Sequence, residues 1–241
     1  MTLDDIARVQ FDFVASAKRA LAAGFQWLEL HFAHGYLAQS FFSPVANQRT
    51  DQYGGSAENR GRFLLETLAA VRAVWPEHLP LTARFGVVEY DGSDDSFYPE
   101  AAQLVRQMHD DGLDLIDASI GFSTLNSKAP WGPGFFVPVA ARLKHDVRMP
   151  VAASWCIDDP HMAESAIAEG SMGCRGIAGM ERVLRSSGVM TTEPSIAAIE
   201  GSLDVALIQK DERTTCRFQP RRNLPQVVGS AGSCTAPTTP C

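Results

Sequence analysis

The sequence predicts an α/β fold with parallel strands, and three observations carry that expectation. Short apolar runs of strand length alternate with stretches whose apolar residues recur every three or four positions, and strands separated by helices pair in parallel. Strand-like runs end at Phe85, Ser119 and Trp155, and the intervals of 34 and 36 residues match one strand-helix step. The 241 residues are 45% hydrophobic and 20% charged, a globular composition able to bury one sizeable core. A (β/α) barrel and an open doubly wound sheet both fit the alternation. Eight units of roughly 35 residues need about 280, so the chain reads as part of a barrel.

Each element has a local cause. Ile6, Val9, Phe13, Ala17 and Leu21 fall at helical spacing over residues 3–23, with Thr2 and Asp5 placed as a capping pair and Gly24 as a stop. The run from Phe25 to His31 has the length and composition of a strand and ends in a polar, glycine-containing segment. After a long loop, Ser56 is placed to cap a helix carrying Leu64, Leu68, Val71 and Trp75, which Pro76 and Pro80 end. Further strands are expected at Leu81 to Phe85, Leu113 to Ser119 and Pro150 to Trp155. Helices are expected at about 99–111, about 136–146 and after Pro160. Residues 1–170 read as the barrel portion, 171–213 as a segment where the pattern fades, and 214–241, rich in Pro, Ser, Thr and Gly, as a disordered tail.

Charge and cysteine content narrow the function classes. With 21 Lys and Arg against 28 Asp and Glu, the net charge is −7, which argues against nucleic-acid binding because phosphate contact needs clustered cations. No run approaches the ~20 apolar residues of a membrane span, and Met1-Thr2-Leu3-Asp4-Asp5 is acidic where a signal peptide is basic, so a cytoplasmic protein is expected. The five cysteines form no CxxC pair and suggest neither a zinc site nor a disulfide framework.

Chemistry concentrates in residues 29–63. Glu29-Leu30-His31-Phe32-Ala33-His34-Gly35-Tyr36-Leu37 puts two imidazoles and a phenol at the C-terminal end of a strand, where α/β folds place their sites. Either histidine alone reads as a surface or satisfied core residue. In a continuing strand residues i and i+3 point to opposite faces, whereas a turn at Phe32-Ala33, which Gly35 permits, brings both rings to one side. Two neutral imidazoles can then donate to one carbonyl oxygen, with Tyr36 a nearby proton source, an arrangement suited to polarising an enone. Metal binding is a weaker alternative, because no third ligand falls at suitable spacing. Arg84, expected at the end of the next strand, offers a fixed cation for an anionic ring or phosphate, or else a strand-end salt bridge.

The same stretch, followed by Phe42-Ser43-Pro44, Asn47, Arg49-Thr50-Asp51, Tyr53-Gly54-Gly55-Ser56, Asn59-Arg60 and Arg62-Phe63-Leu64, resembles the Old Yellow Enzyme family of FMN-dependent ene-reductases. Leu79 to Gly86, Gly112 to Ile116, Pro130-Trp131-Gly132-Pro133 and Val151 to Trp155 resemble its bacterial xenobiotic reductase branch. The resemblance implies a TIM (β/α)8 barrel with FMN as cofactor, NADPH as hydride donor and a small-molecule enone as substrate. It implies that His31 and His34 bind the substrate carbonyl oxygen, Tyr36 delivers a proton to the α-carbon, Arg84 lies at the pyrimidine edge of FMN, and Trp155 shapes the pocket. Arg49 to Arg62 reads as scaffold that fixes a loop.

The family pattern also implies three strands before the one ending at His31, and a Gly-Arg pair on a last strand that holds the FMN phosphate. Gly179 and Arg182 occur in that region without a fixed register. The sequence therefore reads as a partial copy carrying about strands four to seven, with an eighth uncertain. Such an incomplete barrel exposes strand edges and apolar faces, favouring aggregation, a homo-oligomer or a noncatalytic interaction module.

Overall fold

The computed structural model describes residues 1–157 and 160–168; the expected segments 171–213 and 214–241, with Gly179 and Arg182, lie outside them. The described elements are α1 (Leu3–Ala22), β1 (Leu28–Phe32), α2 (Leu37–Phe42), α3 (Ala57–Arg72), β2 (Leu81–Val88), α4 (Asp94–Asp110), β3 (Leu115–Ile120), α5 (Val137–Val147), β4 (Val151–Ala153) and α6 (Pro160–Ala168). All four strands pair in parallel in the order β1-β2-β3-β4.

The helix starts follow local hydrogen bonding. Thr2 Oγ1 accepts from the Asp5 amide at 3.1 Å while the Thr2 amide donates to Asp5 Oδ2 at 2.9 Å, so two of the unpaired donors at the α1 start are satisfied together. Ser56 Oγ likewise accepts from the Asn59 amide at 3.3 Å to start α3.

Several boundaries differ from the sequence expectation. The Gly24 backbone turns with φ +86 and the Phe25 amide bonds back to the Ala20 carbonyl, so β1 begins at Leu28 and not at Phe25. The stretch after Tyr36 contains a helix, α2, whose Ala38, Phe41 and Phe42 are buried. β2 continues three residues beyond Phe85 to Val88, which places Arg84 in its interior. β4 ends at Ala153; Ser154 and Trp155 follow it, with Trp155 at φ +76.

Strand register sorts the side chains into two faces. Leu30, Ala83, Ile116 and Val151 form one cross-strand row, and Phe32, Phe85, Ala118 and Ala153 another. These belong to the main core with the helices: Phe42 meets Phe85 at 5.3 Å and Phe97 at 5.4 Å, and Phe13 meets Phe32 at 6.2 Å between ring centroids. The intervening row reads His31, Arg84, Asp117, Ala152, flanked by Glu29 beside Thr82 on one side and Gly86 beside Ser119 on the other. Because strand side chains alternate, packing the first two rows against helices forces this polar set onto the opposite face.

Candidate active site

The β1 end turns where the sequence changes from alternating apolar residues to Ala33-His34-Gly35-Tyr36. His34 adopts φ +63 and Gly35 φ +68, and the Tyr36 amide donates to the Ala33 carbonyl at 3.3 Å. A Cβ on Gly35 would stand 2.6 Å from the Phe122 carbonyl oxygen, so glycine is required both by the backbone sign and by the approach of the loop after β3. The turn brings His31 Nε2 and His34 Nδ1 to 3.2 Å, with the rings at 66°. Tyr36 stands beside them, its ring centroid 5.4 Å from that of His31, and is 63% exposed.

His34 Nε2 lies 2.8 Å from Ser119 Oγ, the last inward-facing hydroxyl of β3, and Trp155 Nε1 donates to the same oxygen at 3.0 Å. The Trp155 ring packs edge-on against His34 at 5.5 Å, Phe122 at 5.7 Å and Trp131 at 5.6 Å. One side of the histidine pair is therefore walled by aromatics, three of which reach it from loops following strands. His34, Phe122 and Trp155 all have positive φ, a left-handed backbone concentrated at this point.

The electrostatics follow from burial. Burial first, then the charge of Arg84 and the neighbouring His31, hold the His34 pKa down at about 4, so its imidazole is neutral at pH 7. Arg84 pairs with Asp117, Nε to Oδ2 at 3.2 Å, and donates from Nη2 to Ser154 Oγ at 2.9 Å. The Nε contact is close but misaligned, leaving that N–H buried without a directed hydrogen bond among the described residues. The guanidinium carbon lies 5.6 Å from the Trp155 ring. Burial raises the carboxyl pKa of Asp117 against the opposing pull of Arg84, and raises that of Glu29 to about 7, with the negative charge of Asp117 adding to the effect. Two carboxyl groups thus face one obligate cation.

The sequence singled out His31, His34, Tyr36, Arg84 and Trp155, and the fold brings the first three together at the β1 end with Trp155 against them. Arg84 lies beside them across the sheet, in register with His31. Arg84 makes a salt bridge with Asp117, from the strand interior and not from the strand end that the sequence suggested. Ser119, Asp117 and Ser154 were missed as site residues; their signal was parity, since all three follow the alternation that puts Arg84 on the polar face. Among the described residues no group of three His, Cys, Asp or Glu gathers as for a metal, and no helix is long and apolar enough to cross a membrane.

The Arg49 to Arg62 stretch is wired to backbone. Arg49 donates to Asp51 and to the Met1 carbonyl, Arg60 to the Phe42 and Gly55 carbonyls and to Glu100, and Arg62 to the Gln52 carbonyl. Such bonds satisfy loop carbonyls that burial would otherwise leave unpaired.

Comparison with known proteins shows which family the chain falls in. A family model described as NADH:flavin oxidoreductase / NADH oxidase matches residues 1–178. The chain belongs to that family. It is 39% identical over 184 residues to an NADH:flavin oxidoreductase of Gibberella zeae, covering 70% of this chain and 44% of that protein. It is 37% identical over 168 residues to an NADPH dehydrogenase of Clostridium acetobutylicum, covering 70% and 49%. The chain thus spans about half the length of these curated relatives. Among solved structures it is similar to a 2-naphthoyl-CoA reductase in complex with 2-naphthoyl-CoA (TM-score 0.65, 27% identity, 71% of this chain and 27% of that one). It is also similar to morphinone reductase in complex with tetrahydroNAD (TM-score 0.58, 26% identity, 82% and 53%). Family membership and the parallel α/β sheet agree with the Old Yellow Enzyme resemblance read from the motifs.

Proposed function

We propose that this chain carries the substrate side of an FMN-dependent oxidoreductase that takes hydride from NADPH and reduces the activated C=C bond of α,β-unsaturated carbonyl compounds. The observation that carries the reading is the 3.2 Å separation of His31 Nε2 and His34 Nδ1 at the end of a parallel strand. One of these nitrogens accepts from the other, and when an oxygen replaces that bond, nitrogens at this spacing can both reach it at an ordinary N–H···O length of about 2.9 Å. A carbonyl oxygen held there would accept from both rings as negative charge develops on it, and neutral imidazoles do this without a proton having to leave solvent.

The residues fit an isoalloxazine edge. Arg84 offers a buried N–H with no directed acceptor among the described residues, on the polar face of the sheet next to the histidine pair, and a cation that would stabilise an anionic ring. When bound, FMN supplies the hydride chemistry. His31 and His34 orient and polarise the substrate carbonyl, exposed Tyr36 delivers a proton to the α-carbon, and Trp155 with Phe122 and Trp131 excludes water from one side. The strand order, in which β1 and β4 each have one neighbour among the described residues, suits a sector of a barrel formed by residues 1–170.

Expression of the full chain followed by an absorption spectrum tests the reading. A flavin spectrum that bleaches anaerobically with NADPH and returns on adding an enone supports it. Protein that retains no FMN, or flavin that NADPH reduces but enones never reoxidise, overturns it.

A further inference from the structure

Ser119 occupies a position from which it can decide where the His34 proton sits. It is fully buried at the C-terminal end of β3, and its hydroxyl oxygen has two side-chain neighbours, Trp155 Nε1 at 3.0 Å and His34 Nε2 at 2.8 Å. Indole N–H donates and cannot accept, so Trp155 takes up one lone pair of the hydroxyl. The hydroxyl proton then needs an acceptor, and among the side chains of the described residues that bond it only an unprotonated His34 Nε2 provides one. The reverse arrangement, His34 Nε2–H donating to Ser119, would leave a buried O–H without a side-chain acceptor, which is disfavoured at a hydroxyl that is itself fully buried.

We propose that Ser119 is a positioning residue: held by Trp155, it donates to His34 Nε2 and so fixes His34 in the tautomer whose proton is on Nδ1, the nitrogen that faces His31. That nitrogen is the one the proposed carbonyl site uses, so the inference deepens the functional reading and rests on it for its consequence. The geometry gives the order of dependence. Trp155 orients Ser119, Ser119 sets the tautomer, and the tautomer determines whether His34 presents a donor or a lone pair to an incoming oxygen. Neutral His34 is the species concerned throughout, and the left-handed backbone at His34 and Trp155 holds both ends of the chain in place.

The test uses the full chain labelled with 15N-histidine, read at pH 7 by long-range proton-nitrogen correlation, which distinguishes a protonated from an unprotonated ring nitrogen. His34 is expected to show Nδ1 protonated and Nε2 bare. In Ser119→Ala the signals should shift toward the Nε2-protonated form, and a para-substituted phenol, added as a probe to flavin-loaded protein, should bind about tenfold more weakly. Ser119→Thr, which keeps the hydroxyl, should restore both. Nε2 found protonated in the unsubstituted chain overturns the proposal even if no variant folds, and so does an unchanged tautomer in Ser119→Ala. The nitrogen spectrum needs neither flavin nor substrate. A chain that shows the expected tautomer but binds no FMN therefore defeats the functional reading and leaves the role of Ser119 standing.

Discussion

At the residue scale, the site depends on an imidazole that stays neutral. His34 titrates near 4 in the folded chain against 6.5 for the free side chain, because burial and the Arg84 charge oppose its protonated form. Between those values the unfolded chain binds a proton that the folded chain refuses. The His34 contribution to stability is therefore complete above about pH 6.5 and is lost as pH falls toward 4. Urea denaturation at pH 7 and pH 4.5 should show a larger loss for the unsubstituted chain than for His34→Gln; equal losses would contradict a depressed histidine. Tyr36 makes a different prediction. Its ring is exposed and, among the described residues, its ring contact is with the His31 edge, so Tyr36→Phe should leave stability within about 0.5 kcal/mol and, in flavin-loaded protein, slow reoxidation by an enone by 10²-fold or more while reduction by NADPH is unchanged. Stopped-flow absorbance separates the two half-reactions.

At the scale of elements, the polar face is held in place by close backbone approach between strands. A Cβ on Gly86 of β2 would lie 2.4 Å from Gly121 Cα and 2.5 Å from Gln39 Oε1. Gln39 of α2 already bonds both backbone groups of Gly86, accepting from its amide at 3.0 Å and donating to its carbonyl at 3.3 Å. Gly86→Ala must push apart β2, the β3 end and α2 together, and should cost about 1–3 kcal/mol, measured as a lowered urea midpoint. It should also broaden the His34 ring-nitrogen signals, since Ser119, which bonds His34, is the register partner of Gly86. Removing the α3 cap by Ser56→Ala should cost about 1 kcal/mol and leave those site signals unmoved, because the cap lies on the helical layer. The α2 helix escaped the sequence reading for a physical reason. Six residues are too few for helical periodicity to declare itself, and α2 is held by burial of Phe41 and Phe42 and by the Gln39 bonds.

At the scale of the whole molecule, the sheet divides its ionisable groups unevenly, with Glu29 and Asp117 sharing the neighbourhood of one guanidinium. Glu29 titrates near 7 folded and near 4.5 free, so between those values the folded chain holds a proton that the unfolded chain releases. Its effect is loss of stability as pH rises from about 4.5 to 7, with no further change above. Glu29→Gln, which is neutral at every pH, should match the unsubstituted chain near pH 4.5 and become progressively the more stable of the two up to pH 7. A constant difference across that range would show that Glu29 titrates alike in the folded and unfolded chains and overturn the raised pKa.

The sequence by itself determined the parallel strand-helix alternation, the capping of α1 and α3, the family, and the clustering of His31, His34 and Tyr36. Each is written in residues close together along the chain or in a motif long enough to be specific. Tertiary structure alone decided that Arg84 sits inside β2 facing Asp117, that Glu29 titrates near neutrality, and that Ser119 joins His34 to Trp155. Those contacts join residues 33 to 88 positions apart, and their partners are chosen by strand register and by which face the helices cover. Register depends on packing the apolar rows against the helices, and no short window of sequence contains both sides of that contact.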